Sequence, residues 1–319
     1  MDQTLIDPGL DIFEELERLK HERKAVILAH YYQDPDIQDV ADHLGDSLDL
    51  AKRARDTVDA DVILFCGVHF MAETAKILNP ERIVLVPDVD AGCSLADACP
   101  ADDLRAYKAA HPDHYVVSYI NCTAATKAES DMICTSGNAE QIIRSVPEDR
   151  PILFAPDRNL GAYLVRETGR EMDLWPGTCV VHVTFSERKI IDLKTRHRGA
   201  KFIAHPECEE QILQHADFVG STKKLLDFVV NDPAETFIVG TEGGILHTMQ
   251  KAAPQKELIP APFETEDGSC DSCNECPHMK LNTIEKMYVA LRDLEPRIEL
   301  DEELRQRAWL PLKRMLDLS

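Results

Sequence analysis

The chain has 319 residues, of which 44% are hydrophobic and 29% are charged, ordinary proportions for a folded globular protein. Its formal net charge of −22 argues against nucleic-acid binding, which requires a basic surface. No run of 18 apolar residues is present, so a membrane-spanning helix is not expected. The first residues, Met1–Thr4, lack the features of a secretory signal peptide. We therefore expect a cytoplasmic protein with two or three domains.

The predicted elements begin with an amphipathic helix over residues 10–22 and continue as three similar units. In each unit a short apolar strand is followed by a helix, a second strand, another helix and a third strand. The first strands are predicted at 25–29, 115–120 and 201–204. The second strands are predicted at 60–66, 130–136 and 216–222, which we treat as equivalent positions of the repeat. The third strands are predicted at 83–88, 152–157 and 237–242. Two further amphipathic helices are predicted at 280–293 and 301–317.

Alternating strands and helices in each unit predict a small parallel sheet that helices cover on both faces. The fold class is therefore α/β, with three pseudo-symmetric αβα domains around a central active site. We place the domains at residues 1–103, 104–190 and 191–278, followed by a C-terminal helical segment at 279–319.

Polar side chains follow the predicted strands, where ligands of parallel sheets bind. His30, Tyr119 and His205 stand at or just after the three first strands. Hydroxyl residues before a helix are usually N-caps, and a histidine at a strand end is usually a hydrogen-bonded core residue. The recurrence of such residues in all three units favours one pocket on a pseudo-threefold axis. Helix N-termini, a metal or a few cations would have to make that pocket positive if the substrates are anions.

Ten cysteines are many for a chain expected in a reducing compartment, where they indicate metal ligands, reactive thiols or small buried side chains rather than disulfides. The segment from Cys270 through Cys273 to Cys276 has C-x2-C-x2-C spacing before a proline, which favours iron–sulfur over zinc. A fourth cysteine is missing, because residue 280 is Lys. One cysteine also follows each unit, namely Cys93, Cys179 and Cys276.

Three thiolates, one from each domain, would hold three irons of a [4Fe–4S] cluster and leave the fourth iron open as a Lewis acid. Cys270 and Cys273 are then spare, and their spacing motivates the hypothesis of a redox role for that pair. Four cysteines without metal-ligand spacing are expected to be mostly buried thiols: Cys99, Cys122, Cys134 and Cys208.

An ordered series of short blocks from about residue 20 to residue 293 resembles the quinolinate synthase family. The blocks are Leu28–Gln33, Gly45–Ser47, Phe65–Glu73, Ala91–Ala96, Tyr119–Asn121, Cys134–Asn138, Pro156–Gly161, His205–Cys208, Gly220–Thr222, Gly240–Gly244 and Cys276–Met279. The resemblance implies the same three cluster cysteines. It also implies a pocket of substrate-binding and catalytic residues: His30, Tyr32, Ser47, Met71, Tyr119, Asn121, Ser136, His182, His205, Glu207, Ser221 and Thr222.

The reaction that the resemblance implies is the condensation of iminoaspartate with dihydroxyacetone phosphate to quinolinate, with release of phosphate and two waters, in de novo NAD biosynthesis. It involves no net redox change, and an aspartate-oxidising enzyme would be the functional partner that supplies iminoaspartate. Glu207 is expected to be the main base, with a pKa raised by burial. His205, His30, His182 and Tyr119 are expected to assist proton transfer.

Two other interpretations remain open from the sequence. A diphthamide-synthesis type of enzyme, a radical enzyme that uses S-adenosylmethionine, resembles this fold and also takes one cluster cysteine from each domain. The blocks at His205–Glu207 and Tyr119–Asn121 favour quinolinate synthase over it. An iron–sulfur or zinc sensor would not need titratable residues at all three first-strand ends, and the identity of the metal would test for it.

Overall fold

The computed structural model describes residues 6–263 and 274–319. Within these residues the strands form three four-stranded sheets, all with parallel neighbours. No helix in the described ranges is both long and apolar enough to cross a membrane. The α/β class and the three repeated units predicted from the sequence are confirmed.

The first sheet has the strand order β2-β1-β3-β4. Its strands are β1 (Ala25–His30), β2 (His43–Gly45), β3 (Val62–Cys66) and β4 (Ile83–Leu85). The accompanying helices are α1 (Ile12–Arg23), α2 (Pro35–Val40), α3 (Ser47–Asp56), α4 (His69–Leu78) and α5 (Ser94–Ala98). Every residue of β3 is buried, as expected for a central parallel strand that helices cover on both faces.

The second sheet repeats this order as β6-β5-β7-β8. Its strands are β5 (Tyr115–Tyr119), β6 (Met132–Cys134), β7 (Ile152–Ala155) and β8 (Asp173–Leu174). Its helices are α6 (Ala101–Ala110), α7 (Ala124–Glu129), α8 (Ala139–Ser145) and α9 (Arg158–Thr168).

The third sheet has the order β10-β9-β11-β12. Its strands are β9 (Lys201–Ala204), β10 (Phe218–Val219), β11 (Thr236–Gly240) and β12 (Glu257–Pro260). Its helices are α10 (Glu187–Arg196), α11 (Glu210–Leu213), α12 (Thr222–Asn231) and α13 (Ile245–Ala252). The predicted domain boundaries after residues 103, 190 and 278 fall between described sheets or beyond the last one, and they remain predictions.

The common strand order shows that one predicted equivalence between the units is wrong. Residues 60–66 contain β3, the third strand of its unit, whereas 130–136 and 216–222 contain the second strands β6 and β10. The first-sheet counterpart of β6 and β10 is β2. This strand has only three residues and begins with the polar His43, so no apolar run marks it in the sequence.

Of the two C-terminal helices, the last one joins two units and the other packs on the first unit. The last helix, α15 (Glu302–Asp317), packs against α7 and β6 of the second unit and α4 of the first. Its buried face includes Leu312 and Met315, both fully shielded from solvent within the largest core cluster. The preceding helix, α14 (Ile284–Asp293), packs on α1 and β3. The helices predicted near both ends of the chain are thus confirmed as packing elements.

Candidate active site

The carboxyl ends of the first strands of all three sheets meet at one cavity. His30 ends β1, Tyr119 ends β5 and His205 follows β9, and all three side chains line this cavity. Parallel sheets place ligands beyond these strand ends, so the cavity lies where a binding site is expected.

All of the predicted substrate-binding and catalytic residues except Ser221 line the cavity: His30, Tyr32, Ser47, Met71, Tyr119, Asn121, Ser136, His182, His205, Glu207 and Thr222. Ser221 is buried as the N-cap of α12, where its Oγ accepts from the Lys224 N–H at 3.4 Å. The Oδ1 atom of Asn121 is buried and has no hydrogen-bond partner within the described residues. A ligand donor in the cavity would satisfy that oxygen.

Hydroxyl residues occupy equivalent positions after the second strand of each sheet. Ser47 is the first residue of α3, Ser136 follows β6 by two positions, and Thr222 is the first residue of α12. Helix N-termini carry free N–H groups and partial positive charge, which bind carboxylate and phosphate oxygens. The cavity therefore has local anion-binding groups even though the chain as a whole is acidic.

A buried group of side chains surrounds Glu207. Its Oε2 lies 2.9 Å from Nδ1 of His182, and Tyr119 also hydrogen-bonds this carboxylate. The rings of His182 and His205 stack with centroids 4.8 Å apart, and His205 Nε2 lies 3.2 Å from Ser136 Oγ. The four side chains of Glu207, His182, His205 and Tyr119 are each less than 5% exposed.

The pKa of Glu207 differs from the sequence-based expectation. Burial alone acts to raise this pKa, but the neighbouring His182 and His205, with hydrogen bonds from His182 and Tyr119, lower it to about 2. The expectation of a raised pKa is therefore wrong, because the hydrogen-bond donors and imidazoles around the carboxylate outweigh desolvation. Glu207 is a carboxylate at neutral pH, able to accept a proton.

Four other titratable groups of the cavity are kept neutral. Burial lowers the pKa of His30 and of His205 to about 3, with Glu207 opposing the shift in both. Burial, reinforced by the nearby Glu207, raises the pKa of Tyr119 well above its usual value. Burial also raises the pKa of Tyr32. These imidazoles and phenols therefore act through single, directed hydrogen bonds rather than through charge.

The three predicted ligand cysteines lie in similar backbone surroundings around the cavity. Cys93 precedes α5, and its sulfur accepts from the N–H groups two and three residues later. The sulfurs of Cys179 and Cys276 accept from their own two corresponding N–H groups. Burial raises the pKa of all three thiols, so a bound cation would be needed to hold them as thiolates. Three partly buried sulfurs, each with paired N–H donors and facing one cavity, fit the three-cysteine cluster site.

A smaller group could hold a single metal ion instead. Ligand atoms of Cys179, His182 and Glu207 lie within 4.8 Å of one another. Both ring nitrogens of His182 already have protein partners, since Nδ1 faces Glu207 and Cys179 while Nε2 lies 3.0 Å from Thr241 Oγ1. The hydrogen-bonded arrangement of His182 favours an orienting role over a metal-ligand role.

Comparison with known proteins decides the family. A family model described as "Quinolinate synthetase A protein" matches residues 14–317. The chain belongs to the quinolinate synthetase A family. A "Quinolinate synthase" of Thermosynechococcus vestitus is 59% identical over 310 residues, which cover 97% of this chain and 96% of that protein. Proteins of the same name from Nostoc sp. and Chloroherpeton thalassium are each 58% identical over 310 residues, covering 97% of this chain and 94% and 95% of their own lengths.

Several cavity residues of this family member were not predicted from the sequence. They are Asp46, Val68, Phe70, Gly92, Ser94, Thr135, Val180, Val181, Glu242, His278 and Met279. Burial raises the pKa of Glu242 to about 7, an effect that Lys280 opposes. The Gly240–Gly244 block pointed to this loop, but nothing in it singled out Glu242. Cys270 and Cys273 lie outside the described residues, so their redox hypothesis stays a prediction.

Proposed function

We propose that this chain is a quinolinate synthase, which condenses iminoaspartate with dihydroxyacetone phosphate and releases phosphate and two waters. The observation that carries the proposal is one cavity in a member of the quinolinate synthetase A family. In it, one cysteine from each of three units faces a buried carboxylate with two histidines and a tyrosine.

The substrates carry two carboxylates and a phosphate, which require several hydrogen-bond donors. Ser47, Ser136 and Thr222, with the N–H groups near them, supply donors from three directions. Asn121 adds an amide whose Oδ1 is free to accept from a substrate N–H or O–H group. The spread of these groups over three sheets suits two substrates bound together.

Carbon–carbon bond formation requires a base for the enamine carbon and donors for the departing oxygens. Glu207 is the base, because it is ionised, buried and oriented by His182. Tyr119 keeps its proton at neutral pH, and its hydroxyl, which lies beside Glu207, can donate that proton. His205, hydrogen-bonded to Ser136, and His30 are neutral imidazoles that donate or accept one proton each.

Cys93, Cys179 and Cys276 are the residues that would hold the [4Fe–4S] cluster. When bound, such a cluster supplies an iron with an exchangeable position, a Lewis acid that helps a substrate hydroxyl to leave. We further propose that the protein works in the cytoplasm and receives iminoaspartate from an aspartate-oxidising enzyme, since iminoaspartate is an unstable product of that oxidation.

The proposal is tested by anaerobic purification of protein enriched in iron-57, followed by Mössbauer spectroscopy with and without quinolinate. The expected result is a [4Fe–4S] signal in which one iron changes on addition of quinolinate. A cluster that does not respond would contradict the substrate assignment and favour the radical-enzyme alternative. Zinc in place of iron would exclude both enzymes.

Cysteine variants provide the matched comparison. C93A, C179A and C276A should each lose the cluster together with quinolinate formation. C99A is the control, because Cys99 is fully buried and does not line the cavity. Loss of the cluster in C99A but not in the other three would overturn the ligand assignment.

A further inference from the structure

A continuous series of hydrogen bonds runs through the three units beside the cavity. Thr222 Oγ1 lies 2.9 Å from the Tyr32 hydroxyl, which lies 2.7 Å from Thr241 Oγ1. Thr241 Oγ1 lies 3.0 Å from His182 Nε2, and His182 Nδ1 lies 2.9 Å from Glu207 Oε2. Thr241 stands at the centre of this series and is completely shielded from solvent.

The orientation of the His182 ring follows from its position beside Glu207. Nδ1 of His182 lies 2.9 Å from the Glu207 carboxylate, which only accepts hydrogen bonds, so Nδ1 carries a proton. The opposite nitrogen, Nε2, is hydrogen-bonded to the Thr241 hydroxyl, which holds the ring in this orientation.

Further hydrogen bonds hold the Thr241 hydroxyl itself. Its Oγ1 also bonds the Tyr32 hydroxyl, which in turn bonds Thr222 Oγ1.

Three other threonines bond differently. The hydroxyls of Thr57, Thr74 and Thr168 each donate to a backbone carbonyl four residues earlier, and that of Thr168 also accepts from the Arg170 N–H at 3.2 Å. Thr241 instead bonds two side chains from the other two units, Tyr32 and His182. Its loop approaches Tyr32 so closely that a Cβ added at Gly244 would lie 2.8 Å from the Tyr32 carbonyl carbon.

We propose that Thr241 is a positioning residue of this active site, whose hydroxyl holds the His182 ring with Nδ1–H directed at Glu207 and so keeps Glu207 in place. Without that hydroxyl, Nε2 loses this hydrogen bond and the ring is free to turn away from the carboxylate. The inference rests on the proposed function for its effect on turnover, but the hydrogen-bond geometry that it predicts is independent of the substrate.

The test compares T241V, which keeps the shape of the side chain and removes the hydroxyl, with T241S, which keeps the hydroxyl. Both are prepared as the cluster-loaded protein, with T168V as the control for loss of a threonine hydroxyl elsewhere. T241V is expected to lower kcat about 10- to 100-fold, the range for removing a partner that orients a histidine, with iron content and KM little changed. T241S is expected to recover most of the lost turnover.

A crystal structure of T241V supplies the second readout, and an increased distance between His182 Nδ1 and Glu207 is expected. Wild-type turnover in T241V, or an equal loss in T241S, would refute the role of the hydroxyl. If the wild-type chain forms no quinolinate, the proposed function is wrong. The His182–Glu207 distance in T241V would still decide the inference, since an unchanged distance contradicts it.

Discussion

Replacement of Glu207 by Gln removes the proposed base while changing the shape of the side chain very little. The carboxylate accepts from both His182 and Tyr119, whereas a Gln amide offers one accepting oxygen and must turn its NH₂ group toward one of these donors. The loss of a hydrogen bond to a charged acceptor costs about 1.5–3 kcal/mol. A positioned general base contributes a factor of about 10²–10⁴ to the rate. We therefore expect kcat of E207Q to fall about 10²- to 10⁴-fold.

The assay is anaerobic quinolinate formation, with iron content and visible absorbance measured on the same samples. Both should stay at wild-type values, because Glu207 is not one of the three proposed ligands. Glu210 supplies the control, since its side chain is 65% exposed on the neighbouring helix and E210Q should be fully active. Near-normal kcat in E207Q with a full cluster would refute the assignment of Glu207 as base.

Three further substitutions test other parts of the structure. Lys127 is fully buried and donates to the backbone carbonyls on either side of Asn121, so K127M should destabilise the fold by about 1–3 kcal/mol in urea titrations and raise KM. The Glu242 carboxylate accepts from the Cys276 N–H at 3.1 Å, so E242Q should release iron to a chelator about 10- to 100-fold faster. L312A removes a fully buried side chain of α15 and should cost about 2–5 kcal/mol of unfolding free energy in urea titrations.

Exposed residues of the same types are the controls. Lys313 and Leu310 lie on α15 with exposed side chains, and Glu235 is exposed just before β11, so K313M, L310A and E235Q are the matched variants. Each should change the free energy of unfolding or iron release by far less than its buried counterpart. Equal effects within a pair would show that burial and the described contacts are not the cause.

The repeat could be predicted because central parallel strands are continuous apolar runs. Strands β5 and β9 fall within the predicted ranges and β1 extends one residue beyond its range. One cysteine follows the last strand of each sheet, in keeping with the expectation that one follows each unit. The edge strands β2, β8 and β12 were not predicted, since they are short and partly exposed and have no long apolar run. Because β2 was not predicted, the first unit was aligned incorrectly with the other two. The equivalent positions of Ser47, Ser136 and Thr222 were therefore not recognised.

The cavity residues could be predicted largely through the family resemblance, whereas their electrostatics could not. The lowered pKa of Glu207 depends on His182, which is 25 residues away in the chain, and on Tyr119 from another sheet. Thr241 was only part of a recognised block, because a threonine after a strand gives no sign that its hydroxyl joins two other units. A single sequence does not show which side chains from different sheets lie close together.

Because the proposed cluster takes one cysteine from each unit, its binding is thermodynamically linked to the arrangement of all three. A group that binds only the assembled state stabilises that state, so the iron-free chain should unfold more readily than the loaded one. The same linkage acts in reverse. A substitution such as L312A, in the helix that joins the first two units, should weaken iron binding without touching a ligand. Cluster affinity is thus a measure of how well three separate sheets are held together.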